Sequence, residues 1–393
     1  MRRSPDTLFT GAFLWLTLSD LAYFLAEGGL IGVTPFFVTG PLDGGPTAVG
    51  VAFASFSVAT LALRPLAGRW SDRHGRRPLL VGGASVFAVA VLGHLLVTDM
   101  FWLVVLRIML GTAEAAYFVA GFAALADLAP PGRAGEALSY NSLALFVGIA
   151  SGPLIGQALT GLGGFALAWA GIAMLLAVAA TLATRVPETR PPTTGPSPPV
   201  PLIHRAALVP GLGLFTGIAA VGGFLAFASL YAADLGIHLW SAVLGLFGVV
   251  VVTCRIAFAT LPDRTAPLRL AAASLGVSAA GLLVTAAVPT AWALFLGAAL
   301  LGVGSALLTP AVFAAIFGRV PAAERGSAAG TAGLFVDLGF SGGPVALGAV
   351  AGAAGIPAAF VAGAVLTAAG MGLLASCSPQ PTPADPEVDP GAA

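Results

Sequence analysis

The sequence predicts an all-α membrane protein, with twelve transmembrane helices arranged as two related halves of six. Three observations predict it. Only 9% of the 393 residues are charged, against 58% hydrophobic, whereas soluble globular chains carry about 25% charged residues. The apolar residues gather into twelve runs, each close to or beyond the roughly 20 residues that cross a bilayer. The arginines of the connections fall only in alternate ones. The same composition excludes other classes. A net charge of zero offers nothing to a nucleic acid, and Cys254 and Cys377, the only cysteines, lie in or beside apolar runs. They support neither a disulfide scaffold nor a zinc site.

The twelve runs are 8–38, 47–66, 78–98, 101–126, 137–161, 165–185, 206–232, 240–261, 268–288, 291–317, 327–350 and 355–376. The first is too long for a signal peptide, holds Asp20 and Glu27, and lacks a small-residue cleavage site. Residues 1–185 form the first six-helix half and 206–376 the second. Between them, the Pro- and Thr-rich stretch 186–205 reads as an extended linker, and 377–393 reads as a disordered polar tail.

There is no lysine, and the 17 arginines carry the topology. Arg2 and Arg3 precede the first run. Arg64, Arg69, Arg73, Arg76 and Arg77 cluster at the 2–3 connection, Arg133 lies at 4–5, and Arg185, Arg190 and Arg205 lie at the linker. Arg255, Arg264 and Arg269 surround the 8–9 connection, and Arg319 and Arg325 the 10–11 connection. The positive-inside rule then places both termini and the linker in the cytoplasm of a cell membrane. Trp102, Trp240 and Trp292 sit at the outer ends of their helices, as an interfacial belt would.

Shifted by 191 residues, the separation of Asp43 and Asp234, the chain falls on itself without gaps. Arg64 meets Arg255, Asp72-Arg73 meets Asp263-Arg264, Gly111 meets Gly302, Gly148 meets Gly339, and Gly152-Pro153 meets Gly343-Pro344. Two six-helix repeats in the same orientation, joined by a linker, are a layout of secondary transporters.

Three motifs stand on this frame. The 2–3 connection reads Gly68-Arg69-Trp70-Ser71-Asp72-Arg73-His74-Gly75-Arg76-Arg77, in which the glycines permit a tight reversal. Helix 4 carries Arg107-Ile108-Met109-Leu110-Gly111, and helix 5 carries Gly148-Ile149-Ala150-Ser151-Gly152-Pro153-Leu154-Ile155-Gly156. Together they resemble the signature motifs of the major facilitator superfamily, and the third resembles the motif of its drug/proton antiporter branch, with Gln157 where a further glycine is usual. The resemblance implies the twelve-helix fold and an inner gate. In that gate Asp72 docks at the start of helix 11 near Gly326, where free N–H groups favour an anion. Asp127 is placed to pair with Arg73 or Arg76. Gly68 and Gly75 shape the loop. Gly148, Gly152, Pro153 and Gly156 read physically as a close-packing, kinked helix face.

The chemistry is expected from intramembrane charge. Asp20 and Glu27 lie seven apart on one face of helix 1. Glu114 and Asp337 stand about 16–18 Å from their helix ends, near mid-membrane. Such carboxylates face a cavity and handle protons or substrate, or else form structural hydrogen bonds between helices. Arg107, placed as the one arginine away from the cytoplasmic side, faces a cavity or a carboxylate. It is about 10 Å along the axis from Glu114, too far to pair with it directly. The carboxylates outnumber this arginine, which suggests a neutral or cationic lipophilic substrate. His94 and His238 read as solvated near the outer surface. There is no Gly-Lys phosphate loop and no Cys/His cluster, so neither ATP drive nor a cofactor is expected. The expectation is a monomeric, non-enzymatic, proton-coupled exporter of small lipophilic molecules. The alternatives are a proton symporter or facilitator for a sugar or other metabolite and, less favoured, a non-transporting membrane receptor.

Overall fold

The computed structural model describes residues 8–130, 134–189, 203–258, 261–320 and 325–377. Among them every regular element is a helix. In the first half these are α1 (Gly11–Thr39), α2 (Pro46–His74), α3 (Arg76–Gly93), α4 (Met100–Leu128) and the continuous stretch Ala134–Ala183. That stretch is two arms, α5 (134–162) and α6 (165–183), because Gly163 and Gly164 leave helical geometry and Gly164 takes φ 69°. The second half holds α7 (Leu208–Asp234), α8 (Ala242–Ala257), α9 (Pro267–Ala287), α10 (Ala291–Phe317), α11 (Arg325–Ala354) and α12 (Ile356–Ser376). Ten described helices are long and apolar enough to span a membrane. One of them comprises the two arms α5 and α6, and the shorter α8 completes the series of twelve.

Local chemistry sets the helix ends. Thr10 Oγ1 accepts the Phe13 N–H, and Asp99 Oδ1 accepts those of Phe101 and Trp102, so α1 and α4 begin with side-chain caps. Proline opens α2 and α9, where its missing N–H costs nothing. The reversal after α2 occurs at Gly75 alone, with φ 101°. Gly68, expected to share in it, lies inside α2, which continues to His74.

Glycine sets the spacing between helices. Gly148 and Gly152 of α5 lie on the backbone of Phe24, Leu25 and Gly28 in α1, so near that a methyl group at either position would overlap main-chain atoms. Gly343 of α11 lies on Ala219 of α7 in the same manner. These contacts are related by the 191-residue repeat, since Gly152 maps to Gly343 and Gly28 to Ala219. Pro153 and Pro344 lie within their helices at matching positions.

The two bundles meet along two seams, α2 with α11 and α5 with α8. Both are tight toward the arginine-poor ends. There Gly50 packs on Pro344, Gly348 on Pro46, and Gly248 on Ala150. Gln157, the departure from the glycine pattern, donates from Nε2 to the His238 carbonyl at 2.6 Å and accepts the Ser241 N–H at 2.9 Å. Trp240 packs on Phe36 of α1 with ring centroids 4.2 Å apart and the rings tilted by 34°, so this tryptophan serves the junction as well as any belt, whereas Trp102 and Trp292 are exposed.

Most of the linker and the tail 378–393 lie outside the described residues, as do the side chains of Asp72, Asp263 and the segment around Gly326. Asp72 docking is therefore an expectation that falls outside them.

Candidate functional site

The polar centre is built between α1 and α4. Successive turns of α1 carry Asp20, Tyr23 and Glu27, and α4 answers with Glu114 and Tyr117. The bonds cross. Tyr117 donates its hydroxyl to Asp20 Oδ1 at 2.8 Å, while Tyr23 donates to Glu114 Oε2 at 2.5 Å. The two phenol rings lie face to face, centroids 3.9 Å apart and 4° from parallel. Each helix thus gives one carboxylate and one phenol, and the stacked rings hold both bonds in register. Asn141 of α5 donates to Asp20 Oδ2 at 2.7 Å, so Asp20 accepts at both oxygens. Ser19, within 2.8 Å of the Tyr117 hydroxyl, donates to the Ala179 carbonyl of α6. A buried carboxylate requires such donors, because an unpaired one would lose its hydration without return.

Asp337 joins this centre from the other bundle. Its Oδ2 lies 3.0 Å from Arg64 Nη1, an ion pair that crosses the α2–α11 seam. Arg64 also rests over the Phe118 ring of α4 at 4.8 Å. Phe118 follows Glu114 by one turn of α4, and Glu27 follows Tyr23, the partner of Glu114, by one turn of α1. Glu27, Glu114, Arg64 and Asp337 therefore form one electrostatic group drawn from α1, α4, α2 and α11.

Arg64 was expected among the loop arginines. It lies ten residues before the end of α2, about 15 Å inside, and is a site residue that topology alone conceals. Arg255 keeps its expected place near the 8–9 connection, in the last turn of α8, where it is half-buried over the Phe146 ring of α5 at 4.3 Å. Two arginines rather than one, Arg64 and Arg107, thus lie away from the helix ends, against the four carboxylates Asp20, Glu27, Glu114 and Asp337. Arg107 does not join the carboxylates. It is buried, its Nη2 donates to Thr34 Oγ1, and among the described residues it forms no ion pair. His94, expected to be solvated, is 1% exposed. Its Nδ1 bonds the Ala90 carbonyl at 3.0 Å, and its ring packs 4.8 Å from Trp169 of α6, which covers it. Tyr23, Tyr117 and Asn141 were not singled out from the sequence. Among the described residues no cluster of His, Cys, Asp and Glu could hold a metal ion.

Residues 16–288 and 263–393 each match the model of the Major Facilitator Superfamily. This chain belongs to that superfamily. An uncharacterised MFS-type transporter of Burkholderia pseudomallei is 33% identical over 395 residues, covering 94% of this chain and 93% of the relative. Among solved structures, a bacterial homologue of the human lysosomal transporter Spinster, inward-facing and occupied, aligns with a TM-score of 0.79 at 15% identity, over 93% of this chain and 96% of its own. The human organic anion transporter MFSD10 aligns with a TM-score of 0.70 at 19% identity, over 92% and 98%. At these identities the structures attest the fold.

As a major facilitator, the chain is a multi-pass membrane transporter of small molecules and not an enzyme. Its superfamily loop has a definite local geometry. Arg76 Nε lies 3.4 Å from Asp127 Oδ2. Glu188, from the start of the linker, accepts the first N–H groups of α3, those of Arg76 at 2.8 Å and Arg77 at 3.2 Å. Glu188 therefore caps α3 and meets the positive end of its dipole. Thr189 then donates to Asp127 at 3.0 Å. The linker is strapped to the α2–α3 turn and the end of α4 by the same few side chains. Arg73 is exposed.

Proposed function

We propose that this transporter exchanges protons for small lipophilic molecules, carrying them out of the cell by alternating access, as a monomer in the cell membrane with both termini cytoplasmic. The observation that carries this reading is the electrostatic group of Glu27, Glu114, Arg64 and Asp337, which ties the proton-binding candidates of α1 and α4 to an ion pair across the seam between the bundles. A proton taken up by Glu27 or Glu114 removes one negative charge from around Arg64 and changes the balance that holds Arg64 to Asp337. Substrate and proton then compete for the same side chains. Asp20, held by Tyr117 and Asn141, keeps α1, α4 and α5 in register. Arg107 anchors α4 to α1 through Thr34. Gly68, Asp72, Arg73, Gly75, Arg76 and Asp127 form the cytoplasmic gate in this reading, opposite the end where the seams are tight. The Gly148, Gly152, Pro153 and Gly156 face sets the α1–α5 spacing on which the antiporter resemblance rests.

The test is reconstitution in vesicles under an imposed pH gradient, with neutral, cationic and anionic lipophilic solutes screened for movement. Movement against the proton flux is expected. Movement with it would make the protein a symporter, and no movement under any gradient would favour a receptor.

A further inference from the structure

The repeat that relates the two halves also relates two arginines and what they face. A shift of 191 residues carries Arg64 on α2 to Arg255 on α8, and Phe146 on α5 to Asp337 on α11. The pairs Arg64–Asp337 and Arg255–Phe146 are therefore the same contact in the two seams, at 3.0 Å between charged atoms in one and 4.3 Å from guanidinium to ring centroid in the other. One seam answers its arginine with a carboxylate. The other answers with an aromatic ring.

The difference leaves a charge without its complement. A ring face favours a guanidinium without neutralising its charge. The Nε atoms of Arg64 and Arg255 are both buried with no hydrogen-bond partner, but among the described residues Arg64 has the ion pair to Asp337 and Arg255 has none. The seam is closed about two to three turns of α8 away toward the arginine-poor end, where Gly248 packs on Ala150 and Gly245 on Leu154. Toward the opposite end, α8 stops two residues beyond Arg255. A fixed cation beside an aromatic ring, in an apolar seam, is complementary to a carboxylate attached to an apolar body.

We propose that Arg255 and Phe146 bind the anionic group of an amphipathic organic anion, whose carboxylate takes at the α5–α8 seam the position that Asp337 takes at the α2–α11 seam. That this anion is cargo rests on the transport reading above; that it binds here does not.

The probes are 2-naphthoate and its uncharged isostere 2-naphthamide, measured by equilibrium binding to the full chain in zwitterionic nanodiscs. Wild type is expected to bind the naphthoate at least about tenfold more tightly than the amide, and Arg255→Gln is expected to erase that preference. Phe146→Asp gives Arg255 an internal counter-ion, so it should expel naphthoate while holding or raising the melting temperature. Loss of binding in that variant cannot then be ascribed to unfolding. Equal binding of the two probes by wild type overturns the proposal, as does a preference that survives either substitution. In vesicles, naphthoate that binds while no solute moves under a pH gradient refutes the transport reading and leaves the site standing. Proton-driven movement of other solutes, with no naphthoate preference, refutes the site alone.

Discussion

The two halves share a scaffold and divide the chemistry. Under the 191-residue shift the packing glycines and in-helix prolines recur, yet the polar centre of the first half is erased from the second. Asp20, Tyr23 and Glu27 correspond to Gly211, Leu214 and Ile218. Arg107, Glu114 and Tyr117 correspond to Ala298, Ser305 and Leu308, and Asn141 and Thr34 to Ala332 and Leu225. The second half returns only Asp337 and Arg255, and both stand on the seams. A duplicated frame keeps what backbones need in order to approach each other. Charges buried within one bundle have to be satisfied within it, so they are kept together or lost together. In the function proposed above, the first bundle is the proton-handling body, and the second supplies the surface against which it rocks.

The largest effect expected from this division is functional. Glu114→Gln should lower proton-driven exchange in vesicles by about a hundredfold, the scale of losing a positioned proton carrier, and Glu27→Gln should act in the same direction. Ser305→Ala, at the position matching Glu114, should leave exchange within about twofold, since Ser305 Oγ is buried with no hydrogen bond for the substitution to break. Comparable losses in the two halves would break the comparison.

Stability should show the opposite pattern, because the scaffold is common to both. Gly152→Ala forces a methyl group against α1, and Gly343→Ala forces one against α7. Each should cost about 1–3 kcal/mol, the usual range for overpacking, read as a lower melting temperature. Gly330→Ala, with open space around it, should cost nothing of this kind. A loss at Gly152 with none at Gly343 would mean that the shared packing is only nominal.

These contrasts also mark what the sequence could convey. The twelve helices, their pairing into halves and the break at Gly163–Gly164 follow from apolar run length and from arginines in alternate connections, both of which are local properties. The carboxylates of the centre were legible because a charge in an apolar run has few roles. Arg64 was not, because an arginine near the end of such a run reads as an interfacial anchor with its stem buried and its head in water. Only the continuation of α2 to His74 places Arg64 well inside. A trace of it existed all the same: the repeat superimposes Arg64 and Arg255 and lays Asp337 on Phe146. Tyr23 and Tyr117 left a fainter one, each three residues beyond Asp20 or Glu114 and so on the same helix face. The burial of His94 had no local trace, since Trp169 of α6 reaches it from 75 residues away.

The seams themselves sharpen the comparison at smaller scale. In a double-substitution cycle of Arg64→Gln with Asp337→Asn, the coupling should be about 1–3 kcal/mol, since the Asp337 side chain is 8% exposed and the Arg64 side chain 28%. The matching cycle of Arg255→Gln with Phe146→Leu should yield about 0.5–1 kcal/mol, the value of a cation over a ring at a partly exposed site. Equal couplings would remove the asymmetry between the seams.

The smallest effect expected is at Tyr117. Replacing it with Phe removes one donor from Asp20, but Asn141 still holds the other oxygen, and the ring can stay stacked on Tyr23. The loss should be about 1 kcal/mol in thermal stability, with exchange retained. Tyr23→Phe removes the hydroxyl that Glu114 accepts from, so it should cost little more in stability and yet shift the pH dependence of exchange. If the two variants move the pH profile equally, Asp20 titrates during transport along with Glu114, and the proton-handling body extends one turn further along α1. If neither moves it, the phenols are packing alone and the crossed bonds between α1 and α4 only fasten the bundle.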